Sequence, residues 1–333
     1  MLTPSNLIAY SAILNILCAF EKTGVFIELR KNKQGISAPT LAQQLSLQIS
    51  VLEPLCDFLV INAPEILRKK NENYILGDLF DTIPMQNNLF FSLAYEPVLT
   101  NLTGLLNGEM RYGKDILRKG KYLRQSSALY NNIAWDAIID ILRKMEINTI
   151  VDLGCSAGDF LTHVHNAFPR IHGIGIEIDN EVVELANKIL AEKKLKHHIS
   201  IKKGDITRPQ IWKDDVMKHK EPQHTMFIGI TVWHEFLYKG EEYLCNILSQ
   251  YRSYFPGSFF IVVEYNGIPL EDFKNLPEEF RESASVYQLV HPLTLQGLPQ
   301  PPQRWQTILK KSGIHIHKTI SVNPNSTIYI GIL

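Results

Sequence analysis

Along the first 85 positions, apolar residues recur at helical spacing in three stretches and then give way to two short alternating runs. Asn6 to Phe20 predicts a helix with Leu7, Ile8, Ile13, Leu14 and Leu17 among its buried candidates. Ser37-Ala38-Pro39 marks the start of a second helix, with Ser37 as N-cap and Pro39 in the first turn, where the missing N–H is not needed. Ser50 with Glu53 three positions on reads as a capping box for a third helix through Val51, Leu55, Phe58 and Leu59. Pro54 is tolerated there because it lies near the start. Ile66-Leu67-Arg68, the polar turn Lys70 to Asn73, and Tyr74-Ile75-Leu76 predict a hairpin. Three helices and a hairpin give a winged-helix pattern for residues 1–85. Residues 86–145 predict connecting helices, including an amphipathic stretch from Leu129 to Met145.

After Asn148 the pattern changes to short apolar runs alternating with helical segments. Thr149 to Leu153, Ile171 to Ile178, Ile199 to Ile201, Thr225 to Ile230 and Phe259 to Val263 predict five buried strands. This alternation predicts an α/β, Rossmann-like, doubly wound parallel sheet over residues 146–333. His315 and His317 alternate with Ile314 and Ile316, as in a strand with its polar face exposed.

Composition narrows the classes. A chain of 333 residues suggests two domains. Thirty-four Lys and Arg balance 34 Asp and Glu, so there is no basic excess for nucleic acid. The winged-helix region itself carries seven Lys/Arg against eight Asp/Glu over residues 1–81, and its third helix holds Glu53 and Asp57 but no cation. A helix that enters the major groove reaches phosphates with Lys or Arg, so dimerisation or a substrate lid is the better reading. The four cysteines include no CxxC pair, which argues against a disulfide framework or structural zinc site. Neither a leader nor an apolar stretch of about 18 residues is visible, so cytoplasmic residence is the expectation and no membrane partner is. Asn101-Leu102-Thr103 and Asn325-Ser326-Thr327 then read as chance sequons.

The chemistry concentrates at strand ends. The first strand of the sheet runs into Gly154-Cys155-Ser156-Ala157-Gly158, whose glycines permit a tight turn and close backbone approach to a ligand. Glu177 ends the second strand, where a carboxylate can accept both ribose hydroxyls. After the third strand, Gly204-Asp205-Ile206 places Asp205 where it can accept from an adenine amine. The loop lacks the third glycine of GxGxxG, which disfavours a nicotinamide oxidoreductase. Cys155 and Phe160 read as packing residues.

Loop, acidic strand end and Gly-Asp turn together resemble class I S-adenosylmethionine-dependent methyltransferases over roughly residues 145–333. The resemblance implies Asp152 and Gly154 near the methionine end, with Ser156 and Gly158 in the loop, Glu177 on ribose, and Asp205 with Ile206 at adenine. In architecture the whole chain resembles small-molecule O-methyltransferases of the plant type, where a His-Asp pair follows the fourth strand. His234-Glu235 matches that pair with Glu for Asp, and the resemblance implies His234 as the base that takes a hydroxyl proton.

A second set of residues points elsewhere. Trp233-His234-Glu235-Phe236, then Tyr287 to Gly297 with His291 inside, and Gln303-Arg304-Trp305 resemble bacterial α-keto acid C-methyltransferases acting on phenylpyruvate, 2-ketoarginine or 2-ketoisovalerate. Ala94 to Pro97 and Gly108 to Gly113 fit the same group. That resemblance implies a divalent or ferric transition metal, iron or zinc, on His234 and His291, with catalysis by His234, Glu235 and His291. It also implies a homodimer formed through the N-terminal domain. Glu235 stands open between ligand, holder of a bound water, and orienter of His234. Tyr95, Arg111, Tyr112, Tyr287 and Trp305 are the substrate candidates, while His197-His198 read as solvated and Arg304 as a surface cation by default. Two structural histidines, and a winged-helix regulator that senses adenosylmethionine, are the remaining alternatives.

Overall fold

The computed structural model describes residues 3–130, 132–218, 220–323 and 325–333, and the chain divides into two compact units. Met1–Asn101 and Arg118–Tyr130 form the first; Leu102–Leu117 and Asn131–Leu333 form the second.

The first unit contains α1 (Pro4–Thr23), α2 (Val25–Lys31), β1 (Ile36–Ser37), α3 (Ala38–Leu45), α4 (Ile49–Asn62), β2 (Leu67–Lys70), β3 (Asn73–Leu76) and α5 (Ile83–Leu99). After α6 (Leu102–Leu106), which belongs to the second unit, α7 (Gly120–Tyr130) completes it. The strands make an antiparallel sheet in the order β1-β3-β2, and Asn71 turns the β2–β3 hairpin with φ of 54°. Ser37 caps α3 as expected, its hydroxyl accepting from the Thr40 N–H. Ser50 does not cap α4. The Gln48 carbonyl takes the N–H groups of Val51 and Leu52, so the helix starts at Ile49 and Ser50 falls inside its first turn.

The reading of α1 needs a larger correction. Leu17 is buried and Ile13 packs on the same core, but Leu7, Ile8 and Leu14 are 55%, 76% and 45% exposed. The face of α1 that meets Phe26, Leu41 and Tyr74 is formed by Ile16, Leu17 and Phe20, and the other apolar residues lie off it.

In the second unit α8 (Asn132–Leu142) precedes β4 (Thr149–Leu153); the amphipathic stretch read there crosses Asn131, which is outside the described residues. Then follow α9 (Asp159–Ala167), β5 (His172–Glu177), α10 (Asn180–Glu192), β6 (Ile199–Lys203), α11 (Lys213–Met217), β7 (Thr225–Ile230), α12 (Glu241–Tyr254), β8 (Phe259–Tyr265), α13 (Glu278–Leu293), α14 (Pro302–Lys311), β9 (His315–Asn323) and β10 (Ser326–Ile332). The seven strands order as β6-β5-β4-β7-β8-β10-β9. The five expected strands are parallel, while β10 inserts antiparallel beside β8 and pairs with β9. The sheet is therefore mixed rather than all parallel.

Alternation along each strand explains the layers. Ile150, Met226, Ile228, Ile261 and Val263 face α8, α9 and α10 on one side. Val151, Leu153, Phe227, Phe260 and Val262 face Trp212, α12 and α14 on the other. Because the chain leaves β4 for β5 and β6 on one side, then crosses to β7 and β8 on the other, a switch point opens at the carboxyl ends of β4 and β7.

Candidate active site

At the carboxyl end of β4 the chain makes the turn that the glycines suggested. Gly154 and Gly158 both have φ of 78°, a region that costs glycine nothing, and Ser156 between them sits at 49°. The N–H groups of Gly154 and Cys155 bond the Ile176 carbonyl at 2.9 and 3.2 Å, fixing the loop to the end of β5. Glu177, the last residue of β5, has Oε2 accepting from the Ser156 N–H at 3.0 Å and Oε1 accepting from Ile178 and Asp179 at 2.8 and 3.0 Å. Its carboxylate is thus held at the lip of the glycine loop.

Asp205 follows β6, its Oδ1 accepting from the Thr207 N–H and hydroxyl at 2.8 and 2.7 Å. Two buried aromatics anchor this turn: Trp212 Nε1 donates to the Asp205 carbonyl at 3.0 Å, and the Tyr251 hydroxyl to the Ile206 carbonyl at 2.7 Å. Asp152 lies one residue before the end of β4 and is 3% exposed. Burial, with Glu177 nearby, pushes its carboxyl up to about 8. Cys155 is buried and its thiol is raised well above the usual range by desolvation, so it packs rather than reacts.

His234 stands in the turn after β7 and His291 near the end of α13, and the fold brings them face to face. Their Nε2 atoms are 3.0 Å apart, with exposures of 1% and 2%. His291 Nδ1 lies 2.5 Å from the Tyr287 carbonyl, which can only accept, so this nitrogen carries the hydrogen. His234 Nδ1 lies 2.6 Å from Glu264 Oε2. Glu264 is fully buried on β8, and its Oε1 accepts from the N–H groups of Trp233 and His234 at 2.7 and 3.2 Å. With Oε1 accepting from two N–H groups, the Glu264 side chain meets His234 as an acceptor, so His234 also carries its hydrogen on Nδ1.

With both Nδ1 positions committed, the two Nε2 lone pairs point at one another. At 3.0 Å two such lone pairs repel, so the geometry suits a proton shared between the rings or a cation bound there. His234 and His291 would be the residues to hold a metal ion there, through their Nε2 atoms. No group of three or more His, Cys, Asp and Glu that could hold a metal ion occurs among the described residues.

The remaining candidates fall in different places. Tyr287 packs on His291 with ring centroids 4.2 Å apart and lies 6.2 Å from His234, while the Tyr265 ring, tilted by 56°, lies 4.2 Å from that of Tyr287. Glu235 accepts from Gln296 Nε2. Trp305 is fully buried in the α12–α14 core with Ile308 and Leu309, its Nε1 without a partner, so its ring packs there rather than lining an open pocket. Arg111 is exposed, its backbone N–H bonded to Asp115, and Tyr112 makes an isolated bridge to Ile116. Tyr95 belongs to the first unit, where Arg118 donates to its hydroxyl at 3.4 Å and Phe91 stacks on it. Arg304 pairs with Glu241 on the surface.

Two site residues were missed by the sequence reading. Glu264 was left outside because the fifth strand was ended at Val263, yet a lone carboxylate in Phe-Phe-Ile-Val-Val-Glu-Tyr is the signal that could have found it. Gln296 was quoted within the His291 segment but given no role.

The glycine loop and the histidine pair both lie at the switch point of a mixed seven-stranded sheet. A family model described as a methyltransferase domain matches residues 146–313, and the chain belongs to that family. It is a methyltransferase. Solved structures agree in fold across the chain. Mitomycin 7-O-methyltransferase is 15% identical with a TM-score of 0.68, covering 99% of this chain and 96% of that one. Human N-acetylserotonin methyltransferase, in complex with SAM, is 14% identical with a TM-score of 0.72, covering 98% and 96%. The riboflavin-derivative N,N-dimethyltransferase RosA of Streptomyces davawensis is 15% identical with a TM-score of 0.64, covering 100% and 99%. No helix among the described residues is long and apolar enough to cross a membrane.

Proposed function

We propose that the chain transfers the methyl group of S-adenosylmethionine to a small α-keto acid, at its β-carbon, with the acceptor held at His234 and His291. The donor reading is supported by the loop from Gly154 to Gly158 and by Glu177 and Asp205 at neighbouring strand ends, and it assigns Glu177 to the ribose and Asp205 with Ile206 to adenine. Structures of similar fold were determined with SAM or its demethylated product. The single observation that carries the acceptor reading is the facing pair of Nε2 atoms at 3.0 Å, each ring fixed by an acceptor on its Nδ1.

An iron or zinc ion on this pair would supply Lewis-acid polarisation to a chelating keto acid and favour loss of its β-proton. The chain's own residues do the rest. Glu264 and the Tyr287 carbonyl hold both imidazoles in the tautomer that presents Nε2. Burial of both rings excludes bulk water, and Tyr287 forms a wall beside them.

A second reading, O-methylation of a hydroxylated or phenolic metabolite, is favoured by one specific observation. Glu264 on His234 Nδ1 is the arrangement in which a carboxylate orients an imidazole to take a proton at its other nitrogen. We further read the first unit as a winged-helix dimerisation domain, the chain as a homodimer, and its residence as cytoplasmic.

Incubating the purified enzyme with labelled methyl donor and a set of aryl- and alkyl-substituted α-keto acids and phenols separates the readings. Expected is label at the β-carbon of a keto acid, lost after chelation and restored by iron or zinc. Methylation of phenolic oxygen alone, indifferent to chelators, would overturn the keto-acid reading.

A further inference from the structure

We propose that Glu235 is a positioning residue, neither metal ligand nor proton acceptor, and that with Gln296 it forms a clasp setting the spacing of His234 and His291. This rests on the reading of that pair as the acceptor site. The two histidines lie 57 positions apart on separate elements, so a 3.0 Å approach needs a bridge between those elements.

Gln296 makes such a bridge from both ends. Its backbone N–H donates to the His291 carbonyl at 2.9 Å, and its side-chain Nε2 donates to Glu235 Oε1. The Thr294 hydroxyl lies 2.8 Å from the Val290 carbonyl on α13 and 3.1 Å from Gln296 Oε1, with one proton to give to either. Next along, the Gly297 N–H donates to the Glu235 carbonyl at 3.2 Å. A Cβ at Gly297 would sit 2.2 Å from the His234 carbonyl oxygen, so only glycine lets this segment come so close. Leu295, with φ of 52°, makes the reversal that aims Gln296 back at the pair. Thr294 and Gln296 are 2% and 9% exposed, so an unmade bond here would leave buried polar groups unsatisfied.

The clasp needs one donor and one acceptor across the gap, and either side can be the donor. That separates it from any role requiring a carboxylate at position 235. Exchanging the pair, Glu235→Gln with Gln296→Glu, reverses the hydrogen bond, keeps both side-chain volumes, and leaves Thr294 an acceptor. The test measures steady-state methyl transfer by Gln296→Leu, Gln296→Glu, the exchanged double variant, His234→Ala and His291→Ala. Gln296→Leu and Gln296→Glu are expected to lose about 10–100-fold in kcat, the range for residues that orient ligating or catalytic groups, with KM for adenosylmethionine unchanged. The double variant is expected to recover to within a few-fold of wild type. A double variant no more active than Gln296→Glu, folded or not, overturns the proposal. If His234→Ala and His291→Ala both keep full activity, it is the acceptor-site reading that fails instead.

Discussion

Asp152 occupies an awkward place for a carboxyl, flanked by Val151 and Leu153 within a fully buried strand. Its folded value of about 8 lies above the ordinary 3.8, so the folded protein holds this proton more tightly than the unfolded chain does. The stabilising contribution is therefore complete below about pH 4 and is lost as pH rises towards 8. Asp152→Asn, which keeps the shape and cannot ionise, is expected to raise Tm by a few degrees near pH 8 and to leave it unchanged near pH 4. Thermal melts at the two pH values check this; an equal shift at both would contradict it. At this scale the positions of Gly154, Glu177 and Asp205 at strand ends were legible, because each ends or follows a strand whose apolar run marks its limit. Glu264 was not, because its role depends on β8 lying beside β7, which brings it within 2.6 Å of a histidine 30 positions away. Local pattern carries no record of that pairing.

At the scale of elements, strands with all-apolar runs were read closely: β4 and β7 have the expected limits, and β9 has its expected exposed face. What escaped was β10, whose insertion between β8 and β9 converts the sheet edge to antiparallel. Its residues, Ser326 to Ile332, are as apolar as a parallel strand, so direction could not be read from them. On α1 the failure ran the other way. Helical spacing of Leu7, Ile8 and Leu14 was read as burial, but in the single chain they are exposed along with Tyr10 at 56%. Apolar residues grouped on one helix suit a partner surface, and the proposed homodimer supplies one. Leu7→Glu with Leu14→Glu is expected to convert a dimer into a monomer by light scattering while leaving the helical circular dichroism unchanged. An unaltered dimer would remove α1 from the interface.

In the proposed function the second unit separates two tasks across the switch point of one sheet. The loops after β4, β5 and β6 present the glycine turn, Glu177 and Asp205, while the turn after β7 and the end of α13 present His234 and His291. The proposed donor and acceptor sites rest on different elements, and they are expected to fail independently. The most direct measurement pairs calorimetric binding of S-adenosylmethionine with methyl transfer for His234→Ala and His291→Ala. Both variants are expected to bind the donor with wild-type affinity and to lose transfer by at least about 100-fold. Full transfer in either variant, or loss of donor binding in a folded one, would contradict this expectation.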